Sequence, residues 1–297
     1  MNTGVIGLGK MGKYMALNMI KAGFDVIVYD IDRNPVDYLT GHGAAAASSP
    51  AEMASKSDLI VFSLPDASVV ENVLLSKDGI VSGAGRGLIL IDCSTSDYFW
   101  TLDMAAKLRK SGIRFADAPV TGLESRAQDG TLTIMFGGDT ALLEEVRPVL
   151  DTIGSTILHM GDVGKGQLSK MTNNLIYDIN LAALAEVLPM ALRLGLDPEK
   201  IAEVINTGSG QSFASTFFLP HILKNEFQNS YPLEKAYKDL AAAASISAQH
   251  KIPLPVAHAA TTTYQMALAR GLGKEDKGAM IKVFEKINGV EFRSKKN

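Results

Sequence analysis

The stretch Gly4-Val5-Ile6-Gly7-Leu8-Gly9-Lys10-Met11-Gly12 leaves this chain few choices of fold. A short apolar run enters a turn with three glycines, Tyr14 to Ala22 has the composition of a helix, and after Gly23 a second apolar run ends on Asp30. Strand, glycine turn, helix and second strand make the βαβ context in which a GxGxxG spacing signals a dinucleotide site. Gly7 permits the tight turn, Gly9 lets the backbone approach a pyrophosphate, and Gly12 lets helix and strand pack closely. The helix N-terminus offers oriented N–H groups to the anion. Asp30 stands where a carboxylate accepts hydrogen bonds from an adenosine ribose, which favours NAD. The nearby Arg33 suits a 2′-phosphate and leaves NADP open.

Further strand-like runs at 59–64, 88–92, 113–116 and 132–137 alternate with helix-like segments, which predicts a doubly wound, mostly parallel sheet. Ligands in such sheets collect beyond the strand C-terminal ends. Here those ends read Ser63-Leu64-Pro65, Asp92-Cys93-Ser94-Thr95 and Asp117-Ala118-Pro119-Val120-Thr121-Gly122. Any one of them is an ordinary strand-to-loop transition; together with the glycine turn they make a candidate site.

From Gln167 there is no Gly or Pro until Pro189, and the residues are mostly good helix formers. One helix reaching Leu194 is expected, much longer than the usual three turns. Lys170, Asn174, Tyr177 and Leu181 fall on one stripe of it, with Asn173 alongside. A lone Lys at a helix start is ordinarily solvated. With two amides beside it, Lys170 is expected to line a cleft holding polar ligand atoms, since an unpaired ammonium among apolar side chains is costly. Ile176, Ile179, Leu184, Val187, Leu188 and Leu192 make the helix apolar on most of its circumference. It should therefore be wrapped by smaller helices or by a second copy of the chain, and a homodimer or homotetramer is expected. Beyond it, breaks near Gly195, Gly208, Pro232, Pro253 and Gly271 imply six or so helices in all. Lys238-Asp239-Leu240 should begin one of them, running to Ala248. The expected division is 1–163 for the α/β domain and 164–297 for an all-α domain.

The 297 residues are 46% hydrophobic and carry a formal net charge of −3, which gives no basis for nucleic acid or an anionic membrane as partner. With Cys93 as the single cysteine, no intramolecular disulfide or multi-cysteine zinc site can form, and a reducing, cytoplasmic setting is expected. The five histidines lack metal-ligand spacing and read as surface or structural, so no metal is expected. The strand pattern begins at once, leaving no room for a leader, and no eighteen-residue run is uninterruptedly apolar. Only Ser294-Lys295-Lys296-Asn297 reads as a frayed tail.

Five motifs thus stand in one order: Gly-Leu-Gly-Lys-Met-Gly at 7–12, Asp-Cys-Ser-Thr at 92–95, Asp-Ala-Pro-Val-Thr-Gly at 117–122, Gly164-x-Gly166-x3-Lys170-x2-Asn173-Asn174, and Lys238-Asp239-Leu240. Over nearly the whole chain the set resembles the β-hydroxyacid dehydrogenase family, which includes 3-hydroxyisobutyrate dehydrogenase and tartronate semialdehyde reductase. The resemblance implies a Rossmann domain joined by a long interdomain helix to an all-α domain. It implies that Lys170 and Asn174 are catalytic and that Thr121 and Gly122 contact the substrate. Cofactor contacts would fall at Gly7, Gly9, Lys10, Met11, Gly12, Asp30, Leu64, Pro65, Thr95 and Lys238. Against the family's common Ser-Gly-Gly this chain has Thr121-Gly122-Leu123, and Leu123 adds bulk where a substrate carboxylate would approach. Arg126, a few residues on, is suited either to a second anionic group or to the surface. Asp178 puts a carboxylate where a small or apolar residue is expected.

The chemistry implied is hydride exchange between a nicotinamide and a small 3-hydroxy acid or semialdehyde bearing a carboxylate. One acid or base is needed, Lys170, with Asn173 and Asn174 beside it. The alternatives are an imine reductase on the same scaffold, which relatives with no Lys at this position exemplify, and an NAD(H)-binding sensor without turnover.

Overall fold

In a computed structural model the chain is described over residues 1–294. It divides into two compact units, Met1–Lys170 and Met171 onward. The first unit is built on a sheet of nine strands: β1 Thr3–Ile6, β2 Val26–Tyr29, β3 Ala45–Ala46, β4 Leu59–Phe62, β5 Ile89–Asp92, β6 Arg114–Asp117, β7 Val120–Thr121, β8 Leu132–Gly137 and β9 Gly154–Gly161. Its order is β3-β2-β1-β4-β5-β6-β8-β7, with β9 paired to β8. The six strands from β3 to β6 are all parallel, as expected. The strand order reverses at β1, and that is where a doubly wound sheet opens a crevice for ligand. Strands β6 and β7 pair with β8 antiparallel, and β9 pairs with it parallel.

Helices α1 Gly12–Lys21, α2 Arg33–Thr40, α3 Pro50–Lys56, α4 Ala67–Leu75, α5 Ile80–Gly83, α6 Tyr98–Lys110, α7 Leu123–Gln128 and α8 Thr140–Leu150 accompany the strands. Because successive side chains alternate across a strand, the sheet feeds two cores. Val5, Leu59, Val61, Ile89 and Ile91 enter one, and Ile6, Ile60, Phe62 and Leu90 the other. Each such fully buried side chain contributes about 1.5–3 kcal/mol. The two-residue strands β3 and β7 and the long β9 were not expected from sequence. β9 is mostly exposed, so its side chains carry no clean alternation.

Helix α9, Lys165–Arg193, is the expected long helix, and Pro189 does not end it. The division between units falls within it, because its first turn is bonded to strand ends of the first unit. The second unit continues with α10 Pro198–Thr207, α11 Phe213–Leu223, α12 Leu233–His250, α13 Pro255–Ala269, a 3-10 turn Lys277–Met280 and α14 Ile281–Asn288. Leu181, Ala182, Ala185 and Leu188 of α9 enter its core with Phe218, Leu240 and Tyr264. By length and composition α9 is apolar enough to cross a membrane, a test that the core helix of a folded domain also passes.

Within one chain the smaller helices leave Ile176, Val187 and Met190 of α9 half exposed or more. Two expectations need correction. Lys238 does not begin a helix: α12 starts at Leu233, after Pro232 fixes the entry backbone,. The chain end is tied as far as Ser294, whose N–H bonds Leu223 O at 2.9 Å; the rest of the expected tail lies outside the described residues.

Candidate active site

At the reversal point the glycine turn has the shape its spacing predicts. Gly7 has φ 84°, and a Cβ there would lie 2.4 Å from the Ser63 carbonyl oxygen. A Cβ on Gly12 would lie 1.8 Å from Gly7 O, so neither position admits a side chain. At Gly9 no atom lies within 4 Å of where a Cβ would be, and the backbone is open to approach. Met11 is half-buried against the core at the start of α1, and Lys10 is exposed. Asp30 braces the turn: its Oδ2 accepts from Leu8 N at 2.6 Å and its Oδ1 from Asp32 N at 2.8 Å. Each oxygen keeps a lone pair for a ribose hydroxyl. Arg33 is exposed at the first position of α2. This cradle, with its open backbone and its carboxylate, fits a dinucleotide.

The other strand ends are wired together. Leu64 N donates to Ser94 Oγ at 2.9 Å, while Pro65 is exposed and Thr95 half-buried. Asp92 Oδ1 accepts from Ser94 N at 2.8 Å. Asp117, opposite Asp92 in the β5–β6 register, accepts from Gly164 N at 2.6 Å and Gln167 N at 2.7 Å. These are N–H groups that a helix start leaves without intrahelical partners, so Asp117 binds the beginning of α9. The approach is close: a Cβ on Gly166 would stand 2.3 Å from Met135 O and 2.8 Å from Asp117 Oδ2. Gln167, 1% exposed, donates from Nε2 to Ser94 O at 2.8 Å and accepts at Oε1 from Ser96 N at 3.0 Å.

Both carboxyls titrate high. Burial pushes Asp92 up to about 7, helped by the charge of Asp117 and opposed by the bonds from Ser94. Burial pushes Asp117 up to about 6 against the pull of the N–H groups of Gly164, Gln167 and Gly166. Sequence reading passed over Asp117 and Gln167 as functional residues. The only signal available was their place inside two motifs already singled out.

Lys170 is half-buried one turn beyond Gln167. Thr121 ends β7, and Gly122 follows with φ 142°. A Cβ on Gly122 would lie 2.9 Å from both Cβ and Cδ of Arg126, so the exposed Arg126 is laid over this glycine. Leu123 is 48% exposed and has φ 63°, in the left-handed region.

In the second unit Asn174 Nδ2 donates to Asp239 Oδ2 at 2.7 Å, which leaves Asn174 Oδ1 as the acceptor of that amide. The exposed Asn173 reaches this oxygen at 3.4 Å. The structure thus joins Asn173, Asn174 and Asp239, and Lys238, half-buried, precedes Asp239 on α12. Asp239 was quoted in a motif but given no role; its bond to Asn174 spans 65 residues and has no local signal. Leu181 enters the core, and Tyr177 packs on Phe213 and Phe218 with the Lys277 ammonium 3.8 Å from its ring centroid. Asp178, the unexpected carboxylate, is buried with Lys277 at 2.5 Å and the Tyr264 hydroxyl at 2.9 Å. It belongs to the packing of this unit.

Comparison with known proteins bears on the family and the fold. Residues 2–161 match the model of the NAD binding domain of 6-phosphogluconate dehydrogenase. Residues 164–284 match that of the NAD-binding domain of NADP-dependent 3-hydroxyisobutyrate dehydrogenase. The chain is 38% identical to the 2-(hydroxymethyl)glutarate dehydrogenase of Eubacterium barkeri, over 97% of this chain and 96% of that protein. A crystal structure of 3-hydroxyisobutyrate dehydrogenase from Salmonella typhimurium superposes with TM-score 0.86 at 29% identity, covering 95% of this chain and 99% of that one. An imine reductase of Myxococcus stipitatus shares the fold, at TM-score 0.63 and 22% identity, over 95% of this chain and 98% of that one.

Proposed function

The chain belongs to the β-hydroxyacid dehydrogenase family, and on that premise we propose that it exchanges hydride between a nicotinamide dinucleotide and a small carboxylate-bearing 3-hydroxy acid or semialdehyde, with Lys170 as the general acid and base. The observation that carries the reading is the bonding of the first turn of α9 to the ends of β5 and β6. Those ends lead into Thr95 and into Thr121 and Gly122, so Lys170 rises from a turn fixed to the loops expected to hold cofactor and substrate.

The bound nicotinamide supplies hydride chemistry at its ring carbon. What the chain adds is a proton and a position. As ammonium, Lys170 delivers a proton to the substrate oxygen during reduction; as amine, it takes the hydroxyl proton during oxidation. Asn174, its Nδ2 committed to Asp239, offers Oδ1 to orient a donor. The N–H groups around Thr121 and Gly122 receive the carboxylate and fix the reacting carbon, and positioning of this kind lowers a barrier by several kcal/mol. Lys170→Ala should lower kcat by about 10² or more while dinucleotide affinity stays near wild type. Turnover retained within a few-fold would remove the assignment.

Three finer points belong to the same reading. Asp30 selects NAD, and faster initial rates with NADPH would give the choice to Arg33 instead. Arg126, laid over Gly122, receives a second anionic group, so the substrate is dicarboxylic or similarly doubly charged; the named activity of the Eubacterium barkeri relative supports this. A panel of three- to five-carbon substrates with one or two acidic groups tests it. Finally, Ile176, Val187 and Met190 of α9, with Leu194 just past its end, form an exposed apolar stripe that a second copy of the chain covers,. Sedimentation of a compact monomer at micromolar concentration would remove that point.

A further inference from the structure

We propose that Gln167 is a positioning residue that sets the distance between the cofactor contact at Thr95 and the amine of Lys170. The inference rests on the reading of Lys170 as acid and base. A primary amide carries a donor and an acceptor on one rigid plane. Gln167 uses the donor on Ser94 O at 2.8 Å and the acceptor on Ser96 N at 3.0 Å. The two bonds bracket Thr95, so this residue is held on both sides by one side chain. Ser94 carries the connection further, since its Oγ accepts from Leu64 N. Gln167 is itself fixed, because its own N–H is bound by Asp117. Lys170 follows three residues later on the same helix face, where i and i+3 are neighbours.

Hydride and proton must arrive at adjacent atoms of one substrate, so the two groups that hold their carriers need a fixed separation. One chain of contacts leads from the backbone on either side of Thr95 through this buried amide to the helix turn that carries Lys170. An error on the order of 1 Å in such a separation costs about 10²-fold in rate. Leu at this position fills the space and bonds to neither Ser94 nor Ser96. Glu keeps the acceptor for Ser96 N, but when ionised it sets an oxygen against Ser94 O. Protonation restores the donor. Burial raises the pKa of such a carboxyl, and the charges of Asp92 and Asp117 raise it further, while Lys165 and Lys170 on its own helix oppose them.

The experiment uses the full chain and measures kcat, KM, NADH affinity by fluorescence and thermal stability for wild type, Gln167→Leu, Gln167→Glu and Lys170→Ala. Gln167→Leu should lower kcat at least tenfold while KM and NADH affinity change less than threefold. For Gln167→Glu the ratio of its kcat to that of wild type should rise as pH falls from 8 to 6. The glutamate arm also serves if the leucine variant does not fold. Wild-type kcat in Gln167→Leu, or a flat ratio in Gln167→Glu, overturns the inference while an inactive Lys170→Ala leaves the reading of Lys170 standing. An active Lys170→Ala overturns both.

Discussion

Asp117 in the first unit and Asp178 in the second are carboxylates at 0% and 1% exposure, and the two units stabilise them by opposite means. Asp117 accepts from backbone N–H groups at a helix start. Asp178 meets the Lys277 ammonium, brought from 99 residues away, with Tyr264 as a second donor. Backbone N–H groups are fixed by the fold, so the first solution adds direction without a mobile charge. An ion pair supplies charge at the cost of desolvating two ions. Even with Lys277 beside it, burial holds the Asp178 carboxyl above the usual range, and its Oδ2 has no hydrogen-bond partner among the described residues. Amide capture accompanies the candidate chemistry; ion pairing accompanies packing.

The sharpest way to break this comparison is to remove the cation. Lys277→Met should destabilise the protein by about 3–5 kcal/mol at neutral pH, because it leaves a buried charge without its partner. Asp178→Ala in the same chain should recover most of that loss. The deficit of the single variant should shrink in acid, where Asp178 protonates. Chemical denaturation of the single and double variants measures all three, and a single variant as stable as wild type would mean that Asp178 needs no counter-charge.

On the amide side the corresponding test is Asp92→Asn. With a folded pKa of about 7, raised first by burial, Asp92 favours the folded state in acid. That contribution is complete below the ordinary carboxylate pKa, falls as pH rises through about 7, and is flat above. Asparagine keeps an oxygen for Ser94 N and does not titrate. The variant should therefore match wild type near pH 4 and exceed it at pH 8 by about 4 kcal/mol. Parallel stability curves across that range would show that Asp92 does not titrate as its burial dictates.

The same contrast explains which features are legible in the order of the amino acids and which are not. The glycine turn, the five longer parallel strands, the long helix and the five α-helices that follow it are local patterns, written in glycine spacing, apolar runs and helix formers. β9 escaped because an exposed edge strand needs no alternation. Lys170, Asn174 and Thr121 stood in motifs, so their candidacy was legible. Gln167 and Asp117 stood in the same motifs, but their roles depend on which backbone groups the strand ends present, and only the fold decides that. Asp178 was noticed as a departure, but its surroundings were not legible. Its partner Lys277 sits in a 3-10 turn far along the chain, and nothing near either residue announces the other.

The smallest expected effect returns to backbone amides, at the loop proposed to receive the substrate carboxylate. Leu123 holds φ 63° with 48% of its surface exposed, so little burial offsets a conformation that costs an L-residue about 1–2 kcal/mol,. Glycine removes that strain but gives the unfolded chain more freedom, and Leu123→Gly should gain a net of about 0.5–1 kcal/mol. It also takes away bulk where a carboxylate approaches the N–H groups after Thr121. KM for singly charged 3-hydroxy acids should then fall a few-fold with kcat retained, while doubly charged substrates, held also by Arg126, change less. Unchanged KM values for both classes would make Leu123 a bystander, and selection would then rest on Arg126 alone.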